Sequence, residues 1–126
     1  YRTAAVRGAN AEAQYALGVL YFDGRGVDND FRTAADWFRK AGLQGHGGAQ
    51  SVLGAMYQKG WGIDIDVGEA FVWFSLANRQ RKKAMGYRGD IDPEKELQKI
   101  TARISRLQRQ KAERRLRAMG QKKPKR

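Results

Sequence analysis

Apolar residues recur along this chain at the three-to-four spacing of a helical face. Ala13, Leu17, Leu20 and Tyr21 form one stripe, and Ala49, Leu53, Met56 and Tyr57 form another. Each stripe is followed by a pair of glycines, Gly24 with Gly26 and Gly60 with Gly62. These end the helix and let the backbone turn back through conformations that other residues resist. An aspartate comes next, Asp30 or Asp66, where a helix N-cap belongs, and Asp66 has Glu69 three residues on, the capping-box spacing. A second stripe then starts, Ala34, Trp37, Phe38 and Ala41 in one case and Ala70, Trp73, Phe74 and Ala77 in the other. The pattern predicts two helix-turn-helix hairpins, near 10–43 and 47–79, and no β-sheet.

The hairpins are copies of one unit. At a shift of 36 residues, Ala13, Gln14, Leu17, Gly18, Tyr21, Gly24, Gly26, Asp28, Asp30, Ala34, Trp37, Phe38 and Ala41 recur without a gap as Ala49, Gln50, Leu53, Gly54, Tyr57, Gly60, Gly62, Asp64, Asp66, Ala70, Trp73, Phe74 and Ala77. Val27 and Ile63 add a conservative match, and Ala4 to Gly8 reads as the tail of an earlier copy. Gly18, Ala34, Gly54 and Ala70 are small enough to let paired helices approach, while the large aromatics fill the space between neighbouring hairpins. One hairpin cannot bury its own apolar face, so the units must stack as a solenoid.

The shared pattern A-Q-x-x-L-G-x-x-Y-x-x-G-x-G-[VI]-x-x-D-x-x-x-A-x-x-W-F-x-x-A, at Ala13–Ala41 and again at Ala49–Ala77, closely resembles the Sel-one-like repeat (SLR), a tetratricopeptide-like helical repeat. The resemblance covers roughly residues 4–80. It implies an all-α, right-handed α-solenoid that serves as an adaptor surface, without catalytic residues, in a family widespread among bacterial envelope and secreted proteins. A periplasmic or secreted location is therefore implied, with the cytoplasm as the alternative. After Ala77 the chain reads Asn78-Arg79-Gln80-Arg81-Lys82-Lys83, where the family pattern usually enters a further repeat through an alanine-rich loop.

Beyond that point the composition changes. Residues 1–78 hold seven Lys/Arg against eight Asp/Glu, whereas residues 79–126 hold eighteen against five, so the formal charge of +12 lies entirely in the last third. Asp92, Pro93, Glu94 and Glu96 make a helix start, with a capping side chain, a proline in the first turn and acids at the positive helix end. Leu97, Ile100, Ile104 and Leu107 continue it as one apolar stripe. Ser105 with Gln108 has capping spacing for a further helix carrying Ala112, Leu116 and Met119. Helices are expected near 93–104 and 106–119, with a disordered basic tail over 121–126. Residues 1–80 are read as repeats and 81–120 as a basic cap, with a loop from Arg79 to Asp92. Ala35, Asp36 and Lys40 of the first unit become Phe71, Val72 and Leu76 in the second, and this new apolar surface is what the Leu97–Leu107 stripe is expected to cover.

Composition narrows the chemistry further. The chain has 126 residues and no cysteine, which leaves room for one small domain and excludes disulfides, thiolate nucleophiles and cysteine zinc sites. It starts at Tyr1, which reads as part of a longer chain. His46 is the only histidine and is read as a loop residue, not a metal ligand. The Asp28/Asp30 and Asp64/Asp66 pairs recur with the repeat and are read as caps rather than calcium ligands. Gly24-Arg25-Gly26 and Gly60-Trp61-Gly62 join helix to helix and lack the lysine-serine ending of a phosphate loop. No cofactor, metal, small-molecule substrate or catalytic group is expected, and the reading is of a non-enzyme.

Two surfaces are left for a partner. On the inner, concave face of the first helices, Glu12, Tyr15, Val19 and Phe22 lie on a stripe offset from the core, and Gly48, Ser51, Ala55 and Gln58 are their counterparts. Such a stripe suits a protein or peptide partner, with Glu12, Tyr15, Val19, Phe22, Ser51 and Gln58 as the contact set; the competing reading is that it packs on an earlier repeat. The other surface is the basic set Arg103, Arg106, Arg109, Arg114 and Arg117, which fits nucleic acid or an anionic membrane surface, or else is only a solvated face.

Overall fold

A computed structural model describes residues 10–24 and 30–121. Its helices are α1 (Ala11–Asp23), α2 (Phe31–Leu43), α3 (Gly47–Lys59), α4 (Val67–Asn78), α5 (Arg81–Tyr87), α6 (Pro93–Thr101) and α7 (Arg106–Gln121), and no strand occurs among the described residues. The protein is an all-α helical repeat. Ala4–Gly8, Gly26–Asp28 and the tail after Gln121 lie outside the described residues.

The repeat is exact down to its hydrogen bonds. Gly24 and Gly60 close α1 and α3 in the left-handed conformation, φ 73° and 75°, and their N–H groups donate to Leu20 and Met56. The N–H of Asp30 reaches the Tyr21 carbonyl and that of Asp66 the Tyr57 carbonyl, both at 2.9 Å. Their carboxylates then cap the next helix through Thr33 and Glu69, both at 3.0 Å. Glu69 does not complete the expected capping box, because its carboxylate is taken by Trp73 Nε1 and Arg115. A further element of the repeat is a glutamine pair: Gln44 donates to Gln14 at 2.7 Å, and Gln80 donates to Gln50 at 3.2 Å.

Within each hairpin a phenylalanine lies on a glycine. A methyl group at Gly18 would fall 2.6 Å from the Phe38 ring, and one at Gly54 would fall 3.0 Å from Phe74. Each phenylalanine thus packs on the glycine of its own hairpin, and both belong to the core that joins the two hairpins. Trp73 does span the gap: it is fully buried and would collide with a methyl at Gly42 of α2.

The structure departs from expectation in three further places. Arg81–Tyr87 is helical where a loop was expected, because Ala84 is buried against the N-terminal turn of α3, with Gly47 leaving room for the backbone. Ala35 is buried, so the solvent-facing surface of the first unit reduces to Asp36 and Lys40. Leu107 is 60% exposed. The turn at Ala102–Ser105 resets the helical phase before Leu107 instead of after it, so α6 presents Leu97 and Ile100 inward while α7 presents Ala112, Leu116 and Met119. Both helices pack on α4, and their inward residues join one core with Phe71, Val72 and Leu76. Ser105 and Gln108 form the full reciprocal capping box at 3.1 and 3.0 Å.

Candidate functional site

The face expected to be concave is that of α1 and α3, and α5 packs beside them on α3. Positions 12, 15, 19 and 22 of α1 carry Glu, Tyr, Val and Phe, while the equivalent positions of α3 carry Gly48, Ser51, Ala55 and Gln58. The large-to-small exchange leaves a trough along α3. The segment from Tyr87 to Ile91 lies in it: a methyl at Gly48 would fall 2.6 Å from Tyr87 Cβ, and Ile91 is buried. Tyr87 is thereby carried past α3 to α1, where its ring meets Tyr15 at 5.2 Å and its hydroxyl donates to Glu12.

His46, in the connection before α3 as expected, is at the centre of this contact and is buried there. Its Nδ1 accepts from the Ala49 N–H at 3.1 Å, making it the N-cap of α3. Its side chain is only 4% exposed, stacked on Tyr15 with centroids 4.4 Å apart and covered by Tyr87 at the same separation. With Nδ1 accepting, the proton of the neutral ring sits on Nε2, which faces Glu12 Oε2 at 3.4 Å. Burial pulls the imidazole below its usual range, and Glu12 opposes that only in part. Loss of solvent raises the Tyr15 phenol, and the bond to Glu12 raises that of Tyr87.

At the other end of the trough, Arg88 lies 6.0 Å from the centre of the Phe22 ring and pairs with Asp90 at 2.9 Å. Phe22, Trp61, Val52, Ala55 and Ile91 wall a cavity of about 170 Å3 there, with Gln58 and Glu96 at its rim. Gln58 donates to Glu96 at 2.9 Å. Past the trough, a bidentate Arg81–Asp92 pair at 2.8 and 2.6 Å ties α5 to the start of α6, and the guanidinium holds the Asp92 carboxyl down at about 2.

The six residues expected on the concave face are therefore distributed unevenly. Glu12 is exposed; Tyr15, Val19 and Phe22 are half-buried; Gln58 is half-buried at the cavity rim; Ser51 is fully buried and makes no surface. Sequence reasoning missed His46, Tyr87 and Arg88. The small residues Gly48, Ser51 and Ala55 opposite large ones were the available signal.

On the basic face, Arg103, Arg106, Arg109, Arg114 and Arg117 are all exposed. Arg109 is engaged, lying 5.7 Å over the Phe71 ring and pairing with Glu113 at 3.1 Å. The other four form no ion pair among the described residues. No group of three His, Asp or Glu among the described residues is arranged to hold a metal ion, and no described helix is long and apolar enough to cross a membrane.

Stacked, near-identical hairpins with paired inner helices define an α-solenoid of the tetratricopeptide-like class. The Sel1 repeat model matches residues 11–46 and 48–81, and the chain belongs to the Sel1 repeat family. A protective antigen of uropathogenic Escherichia coli strains that displays an SLR fold is similar over 94% of this chain, with 30% identity and a TM-score of 0.78. A Sel1 repeat protein from Oxalobacter formigenes is similar over 62%, with 39% identity and a TM-score of 0.57. The chain spans 24% of the first of these structures and 33% of the second. No curated protein sequence matches it.

Proposed function

We propose that this protein is a binding scaffold that holds a protein or peptide segment on its concave face. Repeats of this fold are in general protein–protein interaction scaffolds and are typically non-enzymatic. The observation that supports the reading here is the divergence along the inner stripe: framework residues repeat identically, while Glu12, Tyr15 and Val19 have the small counterparts Gly48, Ser51 and Ala55 in the next unit and Phe22 has the polar Gln58. Aromatic side chains beside a trough are the usual anchors of such contacts. The test is affinity capture with the wild type and with Val19→Asp. A partner retained by the first and lost by the second, with the helical spectrum unchanged, is the expected result. Equal capture by both puts the partner elsewhere.

A second reading rests on Arg103, Arg106, Arg114 and Arg117, exposed and unneutralised, with Lys111 beside them. These fit a polyanion, either nucleic acid or an anionic lipid surface. Titration with DNA, RNA and anionic vesicles over a salt series separates the two readings. Binding that falls steeply with salt supports the polyanion, and absence of binding at low salt removes it.

A further inference from the structure

We infer that the Tyr87–Ile91 segment is a displaceable strap that occupies the partner's place in the α3 trough and is exchanged for it. The inference rests on the concave-face reading and concerns how that face is regulated.

The seat is incomplete. Buried polar atoms without a hydrogen-bond partner are rare in well-packed proteins and ask for an explanation. The described residues contain three on side chains: His46 Nε2, Ser51 Oγ and Gln58 Oε1. Ser51 Oγ lies on the floor of the trough, Gln58 Oε1 at the cavity rim, and His46 Nε2 under Tyr87 with the Glu12 carboxylate 3.4 Å away. Ser51 is fully buried, on the same stripe as Gly48 and Ala55, and Gln58 borders the cavity beside Ile91. The strap shields this region from water yet leaves Ser51 Oγ and Gln58 Oε1 unpaired. A segment bringing hydrogen-bonding side chains at those positions satisfies them and outcompetes it.

The strap also carries glycines that its present conformation does not need. A methyl group at Gly86 would meet nothing within 4 Å, and one at Gly89 only the Met85 carbonyl at an ordinary 3.5 Å. Neither has a positive φ. Gly86 sits inside α5, where glycine is disfavoured. Two glycines flanking Tyr87-Arg88, required neither by space nor by backbone angle, are the residues a hinge uses. The attachment is uneven: Ile91 is buried, whereas Tyr87 is 42% exposed and Arg88 is paired with its own neighbour Asp90.

The strap itself states the chemistry of the replacing segment. Its seats take an aromatic ring between Tyr15 and His46, a cation over Phe22 and an aliphatic side chain four positions after the aromatic. The partner is therefore an extended peptide with an aromatic, a cationic and an aliphatic anchor at that spacing.

Native-state hydrogen exchange on the full chain tests the strap without a partner, so failure to capture one leaves the result standing. The Arg88 N–H donates to Ala84 and the Ile91 N–H to Arg88, so both report opening. Both are expected to exchange at least about ten-fold faster than the α3 amides, through an opening insensitive to denaturant. The Gly86→Ala, Gly89→Ala variant should slow them by a larger factor than it slows α3. An acetylated peptide of residues 84–92 should bind the Tyr87→Ala protein at least about ten-fold more tightly than the wild type, shifting Tyr15 and Gly48 resonances. Exchange of Arg88 and Ile91 only by global unfolding overturns the proposal. So does a folded Tyr87→Ala protein that ignores the peptide.

Discussion

Tyr87 hydrogen-bonds to Glu12, 75 residues earlier, across Gly48, the residue that stands in the second repeat where the first has Glu12 itself. The missing side chain at 48 is what lets α5 reach α1 across α3. Gly48→Ala places a methyl 2.6 Å from Tyr87 Cβ, close to backbone and unable to be relieved by a flexible side-chain end. The expected cost is about 1–3 kcal/mol. Gly86→Ala, also helical but facing open space, should stabilise by about 0.5–1 kcal/mol. Urea titration of both variants checks the contrast; equal effects would remove Tyr87 from the trough.

Trp37 and Trp73 are equivalent in the repeat and unequal in the fold. Trp73 is wholly enclosed, with its indole N–H on Glu69 at 3.2 Å, whereas Trp37 is half-buried beneath Lys40, 4.5 Å from its ring. Trp73→Ala and Phe74→Ala should each cost about 3–5 kcal/mol, and Trp37→Ala about 1–3 kcal/mol. Reversal of that order in thermal melts would place the core on the wrong side of the first unit.

His46 gives the fold a pH dependence of predictable sign. The folded-state imidazole lies below its ordinary value of 6.5, so its contribution is fully present above that pH and is lost as pH falls through the lower folded value. Protonation costs twice: Nδ1 can no longer accept from Ala49, and a charge enters an aromatic enclosure. The groups facing the ring are Glu12 and Tyr15 from α1 and Tyr87 from α5, and only Glu12 favours the cation. His46→Asn retains a capping acceptor without titrating near neutrality. Melting temperature should decline from pH 7 toward pH 5 in the wild type more steeply than in the variant. Parallel curves would show that His46 is not the group responsible.

What was legible in the sequence is what repeats or acts locally. The hairpins, the Asp30 and Asp66 caps and the Ser105 capping box follow from spacing and short-range hydrogen bonding, and the structure has them where those rules put them. The short helix α5 was not legible, because Arg81-Lys82-Lys83 reads as a charged linker and its only fully buried side chain, Ala84, depends on a surface far away in sequence. The phase of α7 was misjudged by one turn for the same reason: Leu107 continues the stripe of α6 on paper, but the turn before it rotates it outward. His46 was invisible as a cap because histidine is not among the usual capping residues, and its burial is created by Tyr15 and Tyr87 from two other helices. The Gln44 and Gln80 pair, also 36 apart, was available and extends the repeat to the start of α5.

The C-terminal helices are expected to behave as a cover for α4, and the structure separates their cationic side chains into two groups. Arg109 lies over Phe71 and Arg115 pairs with Glu69, so both belong to the seam between α7 and α4. Arg106, Arg114 and Arg117 point away from it and form no ion pair among the described residues. Deleting residues 106–126 removes Ala112, Leu116 and Met119 from a core that includes Phe71, Val72 and Leu76, and opens an apolar face on α4. The truncated chain should melt earlier and self-associate in sedimentation velocity experiments. Reversing Arg106, Arg114 and Arg117 to glutamate changes far more charge but touches no buried contact, so stability should move by no more than about 0.5 kcal/mol per site. A truncated chain that stays monomeric with an unchanged melting temperature would show that α7 covers nothing α4 needs covered. A large loss of stability in the reversed variant would show instead that the outward arginines are part of the seam.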